Sequence, residues 1–92
     1  MNRKSPTRQA AAIIDLFAGC GGLSTGFGWA GFHPVLANER DAWASETFAS
    51  NHPGTKVITE DIRRIRDPKS LVGEVLRGKP LVGIVGGPPC QG

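Results

Sequence analysis

The sequence predicts an α/β fold, a parallel sheet of about four strands with helices on both faces. Three observations predict it. Four short apolar runs, residues 12–17, 34–39, 56–59 and 81–85, show almost no polar alternation, the pattern of strands covered on both sides. Stretches with helical spacing or helix signals separate successive runs. The first run breaks directly into a glycine-rich turn that opens a helix, the arrangement that places ligands at the carboxyl edge of an open parallel sheet.

Each element has its own local reason. Ala12-Ile13-Ile14-Asp15-Leu16-Phe17 is a β-favouring run with a single acid, ending in Ala18-Gly19-Cys20-Gly21-Gly22. Leu23, Phe27 and Ala30 then recur on one helical face, and Gly31 is a C-terminal stop. The second strand, 34–39, ends in Glu39. Asp41 is placed to N-cap a helix over 42–50, with Ala44 and Phe48 turned inward. A turn at Asn51-His52-Pro53-Gly54 leads to the third strand, 56–59. Asp67-Pro68 is a helix start, an N-cap followed by proline at the first helical position. Leu71, Val72, Val75 and Leu76 form its apolar stripe, and Gly78 ends it. The fourth run, 81–85, reads as another buried strand. The order β-α-β-α-β-α-β with right-handed crossovers predicts a Rossmann-like strand order, 3-2-1-4.

Composition bounds the rest. Ninety-two residues make one domain at most, and such a chain buries only about 60% of its unfolded surface. The expected organisation is a flexible basic N-terminus over 1–11, carrying Arg3, Lys4 and Arg8, and a structured part over 12–92. With 39% hydrophobic and 21% charged residues the chain reads as a globular piece. No apolar run approaches the roughly 18 residues of a membrane span, and the basic start leads into no secretory leader. Two cysteines, Cys20 and Cys90, are too few for a disulfide framework and lack zinc-site spacing. A reducing, cytoplasmic setting without a metal is expected. The net charge of +3 admits an anionic partner without requiring one.

Four clusters converge on the carboxyl rim of the predicted sheet. The 17–22 turn lets a ligand approach bare backbone at a helix N-terminus. Glu39, about 20 residues on, can accept both hydroxyls of a ribose. Asp61 after the third strand can accept a hydrogen bond from an adenine amino group, with Ile62 as an apolar wall. Gly86-Gly87-Pro88-Pro89-Cys90-Gln91-Gly92 holds one cysteine in a stiff loop directly after a strand, as a positioned nucleophile requires. A dinucleotide fingerprint fits poorly, because Ser24 stands where its third glycine belongs, and no phosphate-binding Gly-Lys-Ser/Thr follows.

These residues resemble the motif set of the cytosine-C5 DNA methyltransferases. Asp15-Leu16-Phe17-Ala18-Gly19-Cys20-Gly21-Gly22-Leu23-Ser24 resembles the first motif, Glu39 the second, Glu60-Asp61-Ile62 the third, and Gly87-Pro88-Pro89-Cys90-Gln91-Gly92 the fourth. The resemblance spans 12–92. It implies part of an S-adenosylmethionine-dependent methyltransferase fold. The implied cofactor is S-adenosyl-L-methionine, held by Phe17, Ala18, Gly19, Cys20, Gly21, Gly22, Leu23, Glu39, Arg40, Asp61 and Ile62. Phe17 would lie against its adenine. The implied substrate is a cytosine flipped out of double-stranded DNA, in a pocket lined by Pro89. Cys90 would add to C6, C5 would take the methyl group, and loss of the C5 proton with expulsion of Cys90 would complete the transfer.

The 92 residues lack the Glu-Asn-Val motif whose glutamate polarises the cytosine at N3 in that family, the later Gln-x-Arg motif, and the target-recognition region. The resemblance therefore implies an N-terminal portion, inactive by itself, from a restriction-modification type of enzyme, completed by further chain or by a complementary C-terminal polypeptide; since a further strand flanks the fourth in the family fold, it also implies that 81–85 is an unpaired apolar edge within these residues. The alternative is a non-catalytic remnant or partner-binding module of the same fold. Transfer-RNA cytosine methyltransferases share the motif set, so an RNA target stays open.

Overall fold

The computed structural model describes residues 10–87. The elements run β1 (Ala11–Leu16), α1 (Gly22–Trp29), β2 (Phe32–Asn38), α2 (Ala42–Asn51), β3 (Lys56–Ile58), a single 3₁₀ turn (Ile62–Arg64), α3 (Pro68–Leu76) and β4 (Leu81–Gly86). The strands form one parallel sheet in the order β3-β2-β1-β4, as the crossovers predict. Most of the basic start expected over 1–11 lies outside the described residues, and Ala11 already opens β1.

The local signals act as read. Asp41 caps α2 by accepting from the Ala44 N–H at 2.8 Å. Asp67 caps α3 by accepting from the Ser70 N–H at 3.2 Å, with Pro68 in the first turn. The 3₁₀ turn was not foreseen; the Asp61 carboxylate starts it by accepting from the Arg63 N–H at 2.9 Å. Pro34 has no N–H for the sheet ladder. The β1–β2 register shifts there, from Ile13 opposite Pro34 to Ile14 opposite Leu36.

The central strand is covered on both faces. Ala12, Ile13, Ile14 and Asp15 are buried in succession, and successive strand residues point to opposite sides. Right-handed connections put α1 and α2 on one face and α3 on the other. On the α2 side a small core joins Ala18, Ala37 and Phe48, with Val57 packed against it.

Two expectations are corrected. The α1 face of Leu23, Phe27 and Ala30 does not point into the core: the buried side chain of α1 is Ser24, and Leu23 is 44% exposed. The reason is beneath it, where Ser24 answers the buried carboxylate of Asp15. Nor is the fourth strand buried. β4 alternates half-buried and exposed residues, with Val82 57% and Ile84 60% exposed. It is an edge strand, paired only with β1 among the described residues. Ile84 lies opposite the buried Ile14 and shares its face of the sheet, where β4 is left uncovered.

An unpaired apolar edge is a template for association. A sample of residues 1–92 is expected to self-associate with rising concentration. Ile84→Lys should shift sedimentation toward monomer with the far-ultraviolet dichroism unchanged. A wild-type chain that stays monodisperse at high concentration would show that the edge is covered.

Candidate active site

The site is built on the carboxyl ends of β1, β2 and β3. Chain direction reverses sharply after Leu16. Phe17 adopts φ 55°, in the left-handed region, at a cost of about 1–2 kcal/mol for an L-residue. Gly21 caps α1 at φ 100°, and a Cβ there would lie 3.0 Å from both Phe48 Cδ2 and His52 Nε2. Glycine is needed at 21 on both counts. The motif is therefore partly a packing device, since Gly21 lets α1 start directly against α2.

Two residues at the end of β2 tie the rim together. The Asn38 carbonyl accepts from the Ala18 N–H at 3.0 Å. The Glu39 carboxylate accepts from the Gly19 N–H through Oε1 at 2.8 Å and from the Asp41 N–H through Oε2 at 2.9 Å. One acid thus joins the glycine turn to the start of α2. Each of its oxygens keeps a further lone pair for a ligand. The Asn38 amide donates to the Ile58 carbonyl at 3.0 Å and the Glu60 carbonyl at 2.9 Å, which holds the exit of β3.

Asp61 stands across from Phe17 at that exit. Its Oδ1 accepts from Arg63 N–H and Nε, at 2.9 and 3.1 Å, and its Oδ2 accepts from Nη2 at 2.7 Å. These bonds hold its carboxyl far below the usual carboxylate range, the guanidinium contribution being the largest. Oδ2 keeps room for a second donor.

Phe17, Asn38, Glu39, Arg40, Asp61 and Ile62 line one cleft of about 740 Å³ together with Asp41, Glu60, Arg63 and Gly87, within the roughly 300–1,000 Å³ of small-molecule sites. Four acids and two arginines make its wall net acidic. Gly87, the last described residue, lies on the rim. Cys90 and Pro89 lie outside the described residues. Of the other residues singled out from the sequence, Ala18 is buried below the turn, Cys20 is a free exposed thiol, and Gly19 meets the cleft through Glu39. Gly22 and Leu23 line a separate shallow groove with Phe27 and Phe32. Among the described residues no group of His, Cys, Asp and Glu is arranged to hold a metal, and no helix is long and apolar enough to cross a membrane.

Sequence reasoning passed over Asn38, and it named Asp15 and Ser24 within the first motif without pairing them. Asp15 and Ser24 are both fully buried, and Ser24 Oγ donates to Asp15 Oδ2 at 2.5 Å. Asp15 Oδ1 has no partner among the described residues. Burial raises the Asp15 carboxyl above its ordinary 3.8, opposed by the Ser24 bond. The signal was present in the sequence as the one acid in an apolar strand, with a hydroxyl where α1 begins.

A strand order that reverses beside a glycine turn, with an acid directly after the next strand and a cleft above it, defines a Rossmann-like domain with its ligand site at the switch point. The comparisons carry this further. The chain matches the family described as C-5 cytosine-specific DNA methylase over residues 11–92, and it belongs to that family. It is 55% identical over 80 residues to the Type II methyltransferase M.DdeI of Desulfomicrobium norvegicum, covering 87% of this chain and 18% of that protein. It is 45% identical over 92 residues to M.NgoPII of Neisseria gonorrhoeae, covering 99% of this chain and 25% of that one. A crystal structure of an E. coli prophage protein described as a DNA modification methyltransferase superposes with a TM-score of 0.76 at 39% identity, over 90% of this chain and 24% of that chain. The chain thus spans a quarter or less of the length of these relatives.

The Asp15 carboxyl gives a pH test. Its pKa is raised on folding, so between 3.8 and the raised value the folded state holds the proton more tightly than the unfolded state. Its contribution to stability therefore falls as pH rises through that window. Asp15→Asn, which cannot ionise, should gain stability relative to wild type as pH rises above the ordinary carboxylate value of 3.8. Urea titrations across that range check the sign; a difference that shrinks with rising pH would contradict it.

Proposed function

We propose that this chain supplies the cofactor site and the nucleophile of a DNA cytosine-C5 methyltransferase. The observation that carries the reading is the single acidic cleft joining Phe17, Glu39 and Asp61 at the strand ends, with Gly87 on its rim. Cys90 follows Gly87 by three residues, so covalent geometry alone keeps their Cα atoms within about 11 Å.

The residues present suit S-adenosyl-L-methionine. The free lone pairs of Glu39 suit a ribose diol, and the remaining lone pair of Asp61 Oδ2 suits an adenine amino group. The Phe17 ring, 39% exposed, offers an apolar face, with Ile62 nearby in the same lining and Arg40 at the rim. Net charge favours the same choice. An acidic wall attracts a sulfonium and repels the pyrophosphate of a dinucleotide. When bound, the cofactor supplies an electrophilic methyl group.

The chain's own part in the reaction is nucleophilic. The Cys90 thiolate forms a bond to C6 of a flipped-out cytosine, and the ring's electron density rises at C5. After C5 has taken the methyl group, the C5 proton leaves and the Sγ–C6 bond breaks, restoring the thiolate. The negative charge that develops on the ring needs a partner at N3 that residues 1–92 do not supply. Double-stranded DNA is the proposed partner, read by further polypeptide.

Two outcomes test this. Calorimetry should show the protein binding S-adenosylhomocysteine more tightly than NAD; the reverse order would overturn the cofactor assignment. Residues 1–92 alone should transfer no tritiated methyl group into DNA. General acid help of the missing kind is worth about 10²–10⁴-fold, and extruding a base costs a few kcal/mol that no recognition region here offsets. Adding the complementary C-terminal portion should restore transfer, and Cys90→Ser should abolish it again. Transfer by the 92-residue chain alone would contradict the division of labour proposed.

A further inference from the structure

We infer that Asn38 is the positioning residue that sets the adenine end of the cleft, and with it the choice of base; the inference rests on the nucleoside reading of the site. Asn38 is 3% exposed, and both hydrogens of its amide are used, on the Ile58 and Glu60 carbonyls. Those two carbonyls bracket the point where β3 ends and the chain turns toward Asp61. Thr59, between them, is held to α2 by a 2.8 Å contact with the Ser45 hydroxyl. Asp61 itself has no hydrogen bond to the sheet among the described residues: its carboxylate is engaged by Arg63, two residues along and exposed, and its N–H donates to Glu60 Oε1 at 3.1 Å. The placement of Asp61 and Ile62 relative to Phe17 and Glu39 is therefore transmitted through Glu60, and the amide of Asn38 is what fixes Glu60 to β2.

The opposite wall does not depend on that amide. The glycine turn is held by the Asn38 backbone carbonyl and by the Glu39 carboxylate, which a side-chain replacement at 38 leaves in place. Asn38 thus separates two functions at one strand end. Its side chain alone holds the Glu60 carbonyl of the base wall, while the Ile58 carbonyl one step earlier is shared with the Glu39 N–H at 3.1 Å; its main chain and the Glu39 carboxylate hold the ribose wall. Only an amide supplies two donors from one short side chain at this position. An acid would face two carbonyls with none, and a serine would serve one.

The experiment measures nucleoside discrimination by the protein, by competition against S-adenosylhomocysteine. Adenosine presents an amino donor to Asp61, and inosine presents an oxygen acceptor in its place. The unaltered protein should prefer adenosine over inosine by roughly tenfold, the scale of one hydrogen bond to a charged group. Asn38→Leu should reduce that preference to within about twofold, and Asn38→Ser should leave it intermediate. The preference of adenosine over free adenine, which reports the Glu39 side, should persist in both variants. A merely structural role would weaken all ligands in proportion and leave the adenosine-to-inosine ratio unmoved, and that result overturns the proposal. So does loss of the fold in both variants, or an unaltered protein that binds S-adenosylhomocysteine without preferring adenosine. Failure of the unaltered protein to bind S-adenosylhomocysteine at all would instead overturn the reading of the cleft.

Discussion

The site depends on the end of β2. Asn38 and Glu39 are adjacent, and between them they hold the turn after β1, the start of α2 and the exit of β3. A parallel sheet explains why two residues can do this. All strands end at the same edge, so the central pair β1–β2 has a loop on each side, and the terminal residues of β2 sit between them. The backbone N–H groups of Gly19 and Asp41 would otherwise face the rim without a protein acceptor, and one carboxylate serves both. The same acid has lone pairs left over, so holding the scaffold and meeting a ligand need not compete.

Below the rim, the glycine turn rests on a polar contact in place of an apolar one. Asp15 and Ser24 are buried together where periodicity puts a hydrophobic stripe on α1. The contact costs stability, because one carboxylate oxygen is left unpaired in a desolvated place. It also fixes the rotation of α1 on the sheet: a serine hydroxyl reaches that carboxylate from one face of the helix only. Leu23 is turned outward as a result, and Phe27 is left at the margin, half-buried against the edge of Phe32. Gly21 adds the complementary constraint by admitting Phe48 and His52 against the first turn. The helix N-terminus is set by a hydrogen bond on one side and a steric limit on the other.

This explains what was legible in the sequence. Strand order, the caps at Asp41 and Asp67, and the meeting of Glu39 with the 17–22 turn follow from local chemistry and from the handedness of crossovers, so the residues alone carried them. The facing of α1 was not legible. Its spacing of Leu23, Phe27 and Ala30 is a true helical period, but the period says only that one face is apolar, and Asp15 decides which face turns inward. Asn38 was passed over for a similar reason. An asparagine at a strand end reads as a turn residue until the carbonyls it serves, 20 and 22 positions away, are in place. β4 reads as buried from its composition, apolar on both faces; its edge position was legible only from the resemblance, whose fold sets a further strand beside it.

The edge position of β4 bears on the chemistry as well as on solubility. A Cβ on Gly86 would lie 2.6 Å from the Leu16 carbonyl oxygen, so β4 approaches β1 there as closely as a residue without a side chain permits. The next residue, Gly87, lines the cleft, and the proline-cysteine segment follows. Along most of its length β4 is poorly covered, with Val82 and Ile84 bare, but its last residue is pinned against the end of the best-buried strand in the sheet. The strand is thus held most closely at the point where the chain leaves it toward the proposed nucleophile, Cys90. That exit is fixed by β1, the same strand that launches the 17–22 turn. The 17–22 turn and the exit of β4 are thus both fixed to one buried strand, and the bare stretch of β4 at Val82 and Ile84 lies away from both.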